Sequence, residues 1–365
     1  MAKKRTSSKN VFTQLLGQNG LKIVLGLVAS GSFVIAFGQE KISQWILLPS
    51  SSSSNSVCAT QFYKDIPPFI AKEALSKNTY PLCFNGFNVM YSGVSKTPLW
   101  VAEALTPQRL SQKIPRKDSF HEELKVPSAY RATLADYRAS GYDRGHMAPN
   151  ADMPTKAAQA DSFSLANMVP QAPKNNQQVW RELEEATRAI VTKQKHDVYV
   201  VTGPTFTGKK LKTIGDNKVI VPTSVFKAIY IPKTGAIGAY YAPNDNSLKV
   251  KVVSICYLEE QLGMNIFPQL TEEQKRNIYK LPLTANSVKA HQEIPYGNWD
   301  AESQCAEDVS KDQLLALQKK FKSDGLSQSS NNSESSQSGM DQSTLDAIVK
   351  QLVEALLQYI LQLLR

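Results

Sequence analysis

Apolar and β-branched residues fill the middle of the chain in short runs separated by polar turns, a pattern typical of strands. These runs predict strands at residues 87–91, 99–102, 198–202, 218–231, 236–241 and 249–257. Apolar residues at helical spacing predict helices at residues 177–195, 258–266 and 272–279. Because several strands follow one another directly, we expect an α+β fold around a largely antiparallel sheet, with terminal helices outside this core.

The N-terminal residues follow a different pattern. Basic residues, among them Lys3, Lys4 and Arg5, precede an uncharged apolar stretch at residues 23–39. This order is typical of a signal peptide or a signal-anchor, and both a cleaved and a membrane-associated form fit it. A buried core helix is the alternative. We expect the protein to lie outside the cytoplasm as a periplasmic, membrane-anchored or secreted protein.

The C-terminal residues contain a polar segment and then an apolar one. Ser, Gln and Asn dominate up to residue 344, which predicts a disordered linker. An apolar stripe at helical spacing follows and needs a partner, which could be its own domain, another copy of the chain or a membrane. The expected organisation is a leader at 1–49, a Ser-rich spacer at 50–57, a folded domain at 58–322, the linker at 323–344 and the apolar helix at 345–365.

The composition narrows the class of partner and of metal. Forty-two Lys and Arg against 32 Asp and Glu give a formal charge of +10, which favours nucleic acid or a phospholipid surface. With four cysteines in no CxxC pair and only four histidines, a zinc site of the Cys₄ or Cys₂His₂ type has no local signature. We therefore expect any metal to be a hard cation with oxygen ligands.

The four cysteines permit three disulfide pairings outside the reducing cytosol. We favour Cys58 with Cys83 and Cys256 with Cys305, because each of these pairs closes a loop that is local to one end of the domain. In a reducing compartment all four would be buried thiols.

One short segment combines an acid, a guanidinium and an imidazole around a glycine, namely Asp143, Arg144, Gly145 and His146. An imidazole titrates near neutral pH, so His146 is a candidate general base, and Arg144 is a candidate phosphate ligand. The alternative is a surface turn with an accidental salt bridge. Sequence motifs for P-loops, dinucleotide-binding loops and GxSxG elbows are absent.

Four residues further along recur at a spacing of four, which predicts one helical face: Asn176, Trp180, Glu184 and Arg188. The carbonyl oxygen of Asn176 suits Mg²⁺, which keeps several waters and takes few protein ligands. Glu184 lies two turns away, about 12 Å along the axis, and could hold the water shell of that ion. The alternative is an ordinary amphipathic helix with Trp180 in the core and Glu184 paired with Arg188.

Together the two segments resemble the DNA/RNA non-specific endonucleases of the ββα-metal family, which includes secreted bacterial sugar-non-specific nucleases and mitochondrial endonuclease G. The DRGH signature of that family corresponds to residues 143–146, and its second block corresponds to residues 167–171 followed by Asn176, Trp180, Leu183 and Glu184. Residues 130–137 and 267–270 also agree, so the resemblance covers residues 86–270.

The resemblance implies a ββα-metal motif in the fold and a role for each matched residue. His146 would be the general base, Asn176 the sole direct protein ligand of Mg²⁺ or a substituting Mn²⁺, and Glu184 the acid that orders the water shell and protonates the leaving group. The other implied roles are phosphate contact for Arg144 and Arg188, a further catalytic arginine for Arg116, and support for Asn167 and Asp143.

The predicted function is thus hydrolysis of phosphodiester bonds in DNA, RNA or both, with little sequence specificity. Two other hypotheses explain parts of the sequence. A non-catalytic surface protein that binds nucleic acid would use the same basic residues but would have no need of both His146 and Asn176. A membrane-anchored structural protein would explain the two termini but not the central motif.

Overall fold

The computed structural model describes residues 58–316 and residue 318. The described residues form fifteen strands. They are β1 (Phe69–Ile70), β2 (Thr79–Cys83), β3 (Asn88–Ser92), β4 (Thr97–Leu105), β5 (Asp143–His146), β6 (Met168–Gln171), β7 (Val198–Thr205), β8 (Thr213–Ile214), β9 (Val219–Ile220), β10 (Ser224–Ile231), β11 (Ala236–Pro243), β12 (Lys251–Val253), β13 (Met264–Asn265), β14 (Asn277–Tyr279) and β15 (Tyr296–Trp299).

The helices are shorter, apart from one. They are α1 (Glu73–Ser76), α2 (Pro107–Ser111), α3 (Leu134–Tyr137), α4 (Lys156–Ser162), α5 (Arg181–Gln194), α6 (Ile255–Leu262) and α7 (Glu272–Arg276). Single 3₁₀ turns lie at Tyr63–Asp65, Ser128–Tyr130, Asn150–Asp152, Leu165–Asn167 and Ala285–Ser287, and a π-helical turn at Asn175–Trp180 leads into α5.

A seven-stranded sheet in the order β12-β11-β10-β7-β4-β3-β2 forms the centre of the domain. Every neighbouring pair in it is antiparallel, as the sequence predicts. Strands β4, β10 and β11 are buried along almost their whole length. Strands covered on both faces read as continuous apolar runs, which is why they were detectable in the sequence.

Each face of the sheet packs against one helix. Trp180, Leu183 and Ile190 join a core with residues of one face, so that α5 covers this side. Ile255 and Leu258 of α6 belong to the core on the other face. Leu183 follows Trp180 by three positions and Ile190 follows Leu183 by seven, which places all three on one apolar stripe. Helix α5, which carries the predicted site residues Glu184 and Arg188, is therefore packed firmly against the sheet.

Residues 281–294 hold the far end of α5 through polar contacts as well. Lys193 Nζ donates hydrogen bonds to the carbonyl oxygens of Ala285 (2.7 Å) and Val288 (3.0 Å). Gln194 Nε2 donates to the carbonyl oxygen of Gln292 at 2.6 Å. This segment is consequently part of the same folded unit as the site helix.

Four predicted elements differ clearly in their bounds from the observed ones. The run at 218–231 is split into β9 and β10, because Pro222 between them has no N–H to donate to a sheet. The run at 249–257 contains only a short strand, since the Ser254 side chain accepts from the Tyr257 N–H (2.9 Å) and starts α6. The predicted helices at 258–266 and 272–279 end early, at Gly263, where φ is +66°, and after Arg276, where β14 begins.

Both favoured disulfides are present in the structure. Cys58 bonds to Cys83, with a Cα–Cα distance of 5.8 Å, and ties the start of the domain to β2. Cys256 bonds to Cys305, with a Cα–Cα distance of 4.0 Å, and ties α6 to the end of the described chain.

Among the described residues, no helix combines the length and the apolar character that a membrane crossing needs. The expected leader at 1–49, the spacer at 50–57, the linker at 323–344 and the apolar helix at 345–365 all lie outside the described residues.

Candidate active site

The DRGH segment forms strand β5, which pairs with β6 in an antiparallel ribbon. His146 lies opposite Met168, and Asp143 lies opposite Gln171. A Cβ atom at Gly145 would overlap the Gln171 side chain, so the close approach of the two strands requires glycine at this position. The ribbon and the following π-helical turn and α5 form a ββα unit, as the resemblance implies.

Asn167 fixes the chain just after His146. Its buried side chain accepts from the Ala148 N–H (2.9 Å) and donates to the carbonyl oxygens of Ala148 (2.8 Å) and Ser162 (2.9 Å). Asn167 thereby ties the backbone that follows His146 to the end of α4.

Two residues hold the start of the helix, namely Gln171 from the matched second block and Asn175, which was not singled out in the sequence. Gln171 Nε2 donates to Asn175 Oδ1 at 2.5 Å, and Asn175 Nδ2 donates to the Pro243 carbonyl oxygen at 2.9 Å. Both side chains are buried. They connect β6, the π-helical turn and the end of β11, and so fix where the next residue, Asn176, is directed.

Asn176 and Asp143 are in direct contact. Asn176 Nδ2 donates to Asp143 Oδ2 at 2.9 Å, and Gln177 Nε2 donates to the same oxygen at 2.8 Å. Because its amide nitrogen is engaged by Asp143, the amide oxygen of Asn176 points away from that carboxylate. An amide oxygen with a carboxylate two turns further on is a donor set that fits a hydrated hard cation such as Mg²⁺.

His146 lies half-buried in an aromatic environment. Its ring is 5.1 Å from that of Phe163 in a T-shaped contact and 5.8 Å from that of Phe120. Within the described residues, its buried Nε2 has no hydrogen-bond partner. Burial and the charge of Arg116 lower the pKa of His146 to about 3, Asp118 opposes this shift, and Arg144 adds to it. The imidazole is therefore neutral at pH 7 and can accept a proton.

Glu184 lies on α5 and lines the same cleft as His146 and Asn176. Burial raises the pKa of Glu184 to about 7, although Lys227 and Arg188 act in the opposite direction. A carboxyl group with this pKa exchanges a proton near neutral pH, whereas an ordinary glutamate stays ionised.

The three predicted arginines have different surroundings. The Arg144 guanidinium stacks on Phe120, 3.8 Å from the ring centroid. Arg116 forms an exposed ion pair with Asp118 at 2.6 Å. Arg188 pairs with the buried Asp152 at 2.9 Å instead of with Glu184.

One cleft of about 820 Å³ contains most of the predicted site. It is lined by Arg116, Asp143, Arg144, His146, Asn176 and Glu184. Arg188 and Asn167 do not line the cleft but lie behind it. Lining residues that were not predicted include Phe120, Arg138, Tyr142, Gln177 and Arg181. Helical spacing could have found Gln177 and Arg181, because both share a face with Glu184.

Comparisons with known proteins identify the family of the chain. The family described as DNA/RNA non-specific endonuclease matches residues 67–273. The mitochondrial nuclease EXOG of Danio rerio is 38% identical over 205 residues, which are 50% of this chain and 60% of the relative. The mitochondrial endonuclease G of Homo sapiens is 36% identical over 214 residues, which are 53% of this chain and 69% of the relative.

Two further comparisons have similar coverage. The mitochondrial nuclease EXOG of Xenopus laevis is 33% identical over 263 residues, or 63% of this chain and 73% of the relative. A crystal structure of an EndoG/EndoGI complex matches 54% of this chain and 89% of that chain at 28% identity, with a TM-score of 0.49. The chain thus spans less than two thirds of the Danio rerio relative. The family match confirms the resemblance of the motifs, and the chain belongs to the DNA/RNA non-specific endonuclease family.

Proposed function

We propose that this endonuclease hydrolyses phosphodiester bonds of both DNA and RNA in a metal-dependent reaction with His146 as the general base. The observation that carries the proposal is the cleft itself. A neutral imidazole, an amide oxygen suited to a hard cation, a carboxyl group with a raised pKa and the predicted arginines Arg116 and Arg144 all line it. Each of these groups corresponds to one requirement of phosphodiester hydrolysis.

Arg116 and Arg144 bind the scissile phosphate and neutralise charge that builds up on it. Arg144 is held by its contact with Phe120, so little side-chain entropy is lost when it binds. The bound phosphate also acts on the pKa of His146. Its negative charge compensates the positive charges of Arg116 and Arg144, which lower that pKa. This compensation opposes the part of the pKa shift that the arginines cause, while burial, the largest cause, remains, and His146 takes the proton of the attacking water in its neutral form.

Glu184 completes the proton balance. With a pKa of about 7, its protonated form can donate to the departing oxygen. Asn176 would hold the Mg²⁺ ion, or Mn²⁺ in its place, and the ion would supply positive charge for the phosphorane and the leaving group. Asp143 orients Asn176 for this task by holding its amide nitrogen.

Low sequence specificity follows from the type of contact. Contacts to phosphate carry no information about the bases, and the proposed reaction uses only such contacts. The net charge of +10 favours capture of any nucleic acid strand and makes binding sensitive to salt.

We also propose that the protein works outside the cytoplasm, with residues 58–322 as its catalytic domain. Two disulfides in a domain of this size support an oxidising compartment. The apolar stretch at 23–39 would serve as a cleaved signal or as a membrane anchor, and the apolar stripe at 345–365 would contact a membrane or a second copy of the chain.

The proposal is tested by incubating the purified protein with supercoiled plasmid and with a long RNA, in Mg²⁺ or Mn²⁺ and then with EDTA. We expect both nucleic acids to be cut in the presence of either ion and neither to be cut with EDTA. A protein that shifts the plasmid on a native gel without cutting it in Mg²⁺ would instead be a binding module.

A further inference from the structure

The arginines of the described chain fall into two groups according to their partners. Between residues 58 and 316, five arginines pair with a carboxylate: Arg109, Arg116, Arg131, Arg188 and Arg276. Within the same range the other three have no acidic partner: Arg138, Arg144 and Arg181. All three unpaired arginines line the active-site cleft.

Arg138 and Arg181 come from two separate elements of the cleft wall. Arg138 follows α3 directly and is exposed, next to the cleft residue Tyr137. Arg181 is the exposed first residue of α5, four positions after Gln177 and three before Glu184 on the same face. Arg144 lies between these elements in sequence, on strand β5.

The chemistry of these side chains points to phosphate. The four permanently charged cations that line the cleft are all arginines, and a planar guanidinium presents two parallel N–H donors to two phosphate oxygens, whereas an ammonium acts as a point charge. An exposed and unpaired guanidinium also has no ion pair to break before it binds an anion. Arg138 and Arg181 are thus prepared for an anionic ligand that extends beyond the scissile group.

We infer that Arg138 and Arg181 bind the phosphates that flank the scissile phosphate, so that the cleft selects a polynucleotide strand over an isolated phosphodiester. This inference rests on the proposed function. The two arginines determine substrate specificity and do not contact the reacting atoms. They recognise the backbone on each side of the cut, which adds affinity for length without adding preference for sequence.

The test measures kcat and KM on long duplex DNA and on bis(4-nitrophenyl) phosphate, which has one phosphodiester and no flanking phosphate. The variants are Arg138→Ala, Arg181→Ala and the double variant. Lys233→Ala is the matched control, because it removes one exposed positive charge from the β10–β11 turn, outside the cleft. Unchanged thermal unfolding midpoints establish that each variant is folded.

We expect each arginine variant to raise KM on DNA about fivefold with kcat unchanged, and the double variant to combine both effects. The slope of log affinity against log salt should shrink by about 0.9 for each arginine removed. Hydrolysis of the small diester should stay at the wild-type level, and Lys233→Ala should behave as wild type on both substrates.

Three outcomes would overturn the inference while leaving the proposed function intact. In the first, the arginine variants keep the wild-type KM and salt slope. In the second, Lys233→Ala raises KM on DNA as much as they do. In the third, the arginine variants lose kcat equally on DNA and on the small diester. The last result would place the arginines on the scissile phosphate. Failure of the proposed function looks different, since the wild-type protein would then cut no nucleic acid in Mg²⁺.

Discussion

Two polar regions of the domain differ in how completely their charged groups are paired. On the face of the sheet that α6 covers, Lys275 Nζ lies 3.1 Å from Glu259, and both side chains are fully buried. Glu259 also accepts from the backbone N–H groups of Ile266 and Ala306, and Lys275 donates to Asn265. In the cleft, by contrast, His146 Nε2 and two exposed arginines have no such partner among the described residues.

The paired groups stabilise the fold, whereas the unpaired groups of the cleft are available to bind a ligand. A buried polar atom without a hydrogen bond costs stability, so folded proteins keep few of them. His146 Nε2 is one such atom, and it lies in the cleft where the two exposed arginines also lack a carboxylate partner, as expected of groups that bind a substrate. We therefore expect changes at the Lys275–Glu259 pair to affect stability alone and changes in the cleft to affect activity alone.

The largest expected effect is the loss of activity in His146→Ala. Removal of a positioned general base should reduce kcat on plasmid DNA by about 10²- to 10⁴-fold. Gel-shift affinity for DNA and the free energy of unfolding should stay the same. His196→Ala is the matched control, since His196 follows α5 outside the cleft. Near wild-type cleavage by His146→Ala would remove this residue from the mechanism.

Lys275→Met should have the opposite profile. It leaves the Glu259 carboxylate buried without its counter-charge, a loss that costs about 3–5 kcal/mol of stability. Burial already raises the pKa of Glu259. If Glu259 takes up a proton in the variant, no charge stays buried, and the loss of stability lies at the lower end of this range. Urea unfolding measures the loss, and kcat per folded molecule should not change. A Lys275→Met protein that is fully stable but inactive would contradict this expectation, because the pair would then serve activity and not stability.

Asn176→Ala tests the proposed metal ligand. The half-saturating Mg²⁺ concentration for plasmid cleavage should rise about tenfold or more, because the direct protein ligand is lost. Gln177→Ala is a close control, since Gln177 makes the same hydrogen bond to Asp143 but offers no ligand in the proposal. If both variants titrate with Mg²⁺ as the wild type does, the ion binds elsewhere.

Asp300→Asn should cause a smaller, pH-dependent loss of stability. Burial raises the pKa of Asp300, but hydrogen bonds from Ser254, Ser303 and Glu302 outweigh it and lower the pKa from 3.8 to about 2. A folded-state pKa below the unfolded one stabilises the protein above pH 3.8, and the gain is lost as pH falls through about 2.

For this partly exposed carboxylate we expect a difference of about 1 kcal/mol between wild type and Asp300→Asn at neutral pH, after allowance for solvent screening. Urea unfolding at a series of pH values should show the difference vanish near pH 2. A difference that persists unchanged at pH 2 would mean that the carboxylate charge is not its cause.

The smallest expected effect on activity is that of truncation after Ser323. Every residue proposed for catalysis lies between Arg116 and Arg188, and the polar segment that follows residue 323 has no means of ordering them. Nuclease activity should be preserved, while light scattering should detect a smaller oligomer or vesicle binding should weaken. A truncated protein that is inactive or unfolded would show that the C-terminal stripe docks on the catalytic domain.

Much of the fold and the centre of the site could be predicted, because they depend on residues that lie close together in the sequence. Buried strands such as β10 and β11 appear as continuous apolar runs. His146, Asn176 and Glu184 lie within one contiguous ββα unit, so short spacings were enough to place them together. The bounds of α6 were harder, since a cap at Ser254 and a left-handed Gly263 decide them.

The sequence by itself determined the motif and the antiparallel sheet and favoured the observed disulfide pairing among three possible ones, because periodicity, spacing and loop length are local properties of the chain. Only the tertiary structure decided which charged groups are paired. Arg188 could have paired with Glu184 on its own helix, but packing brings Asp152 within 2.9 Å of it. Packing likewise leaves Arg138 and Arg181 unpaired in the cleft. Coulomb energy depends on distance and burial, and elements far apart in the sequence set both.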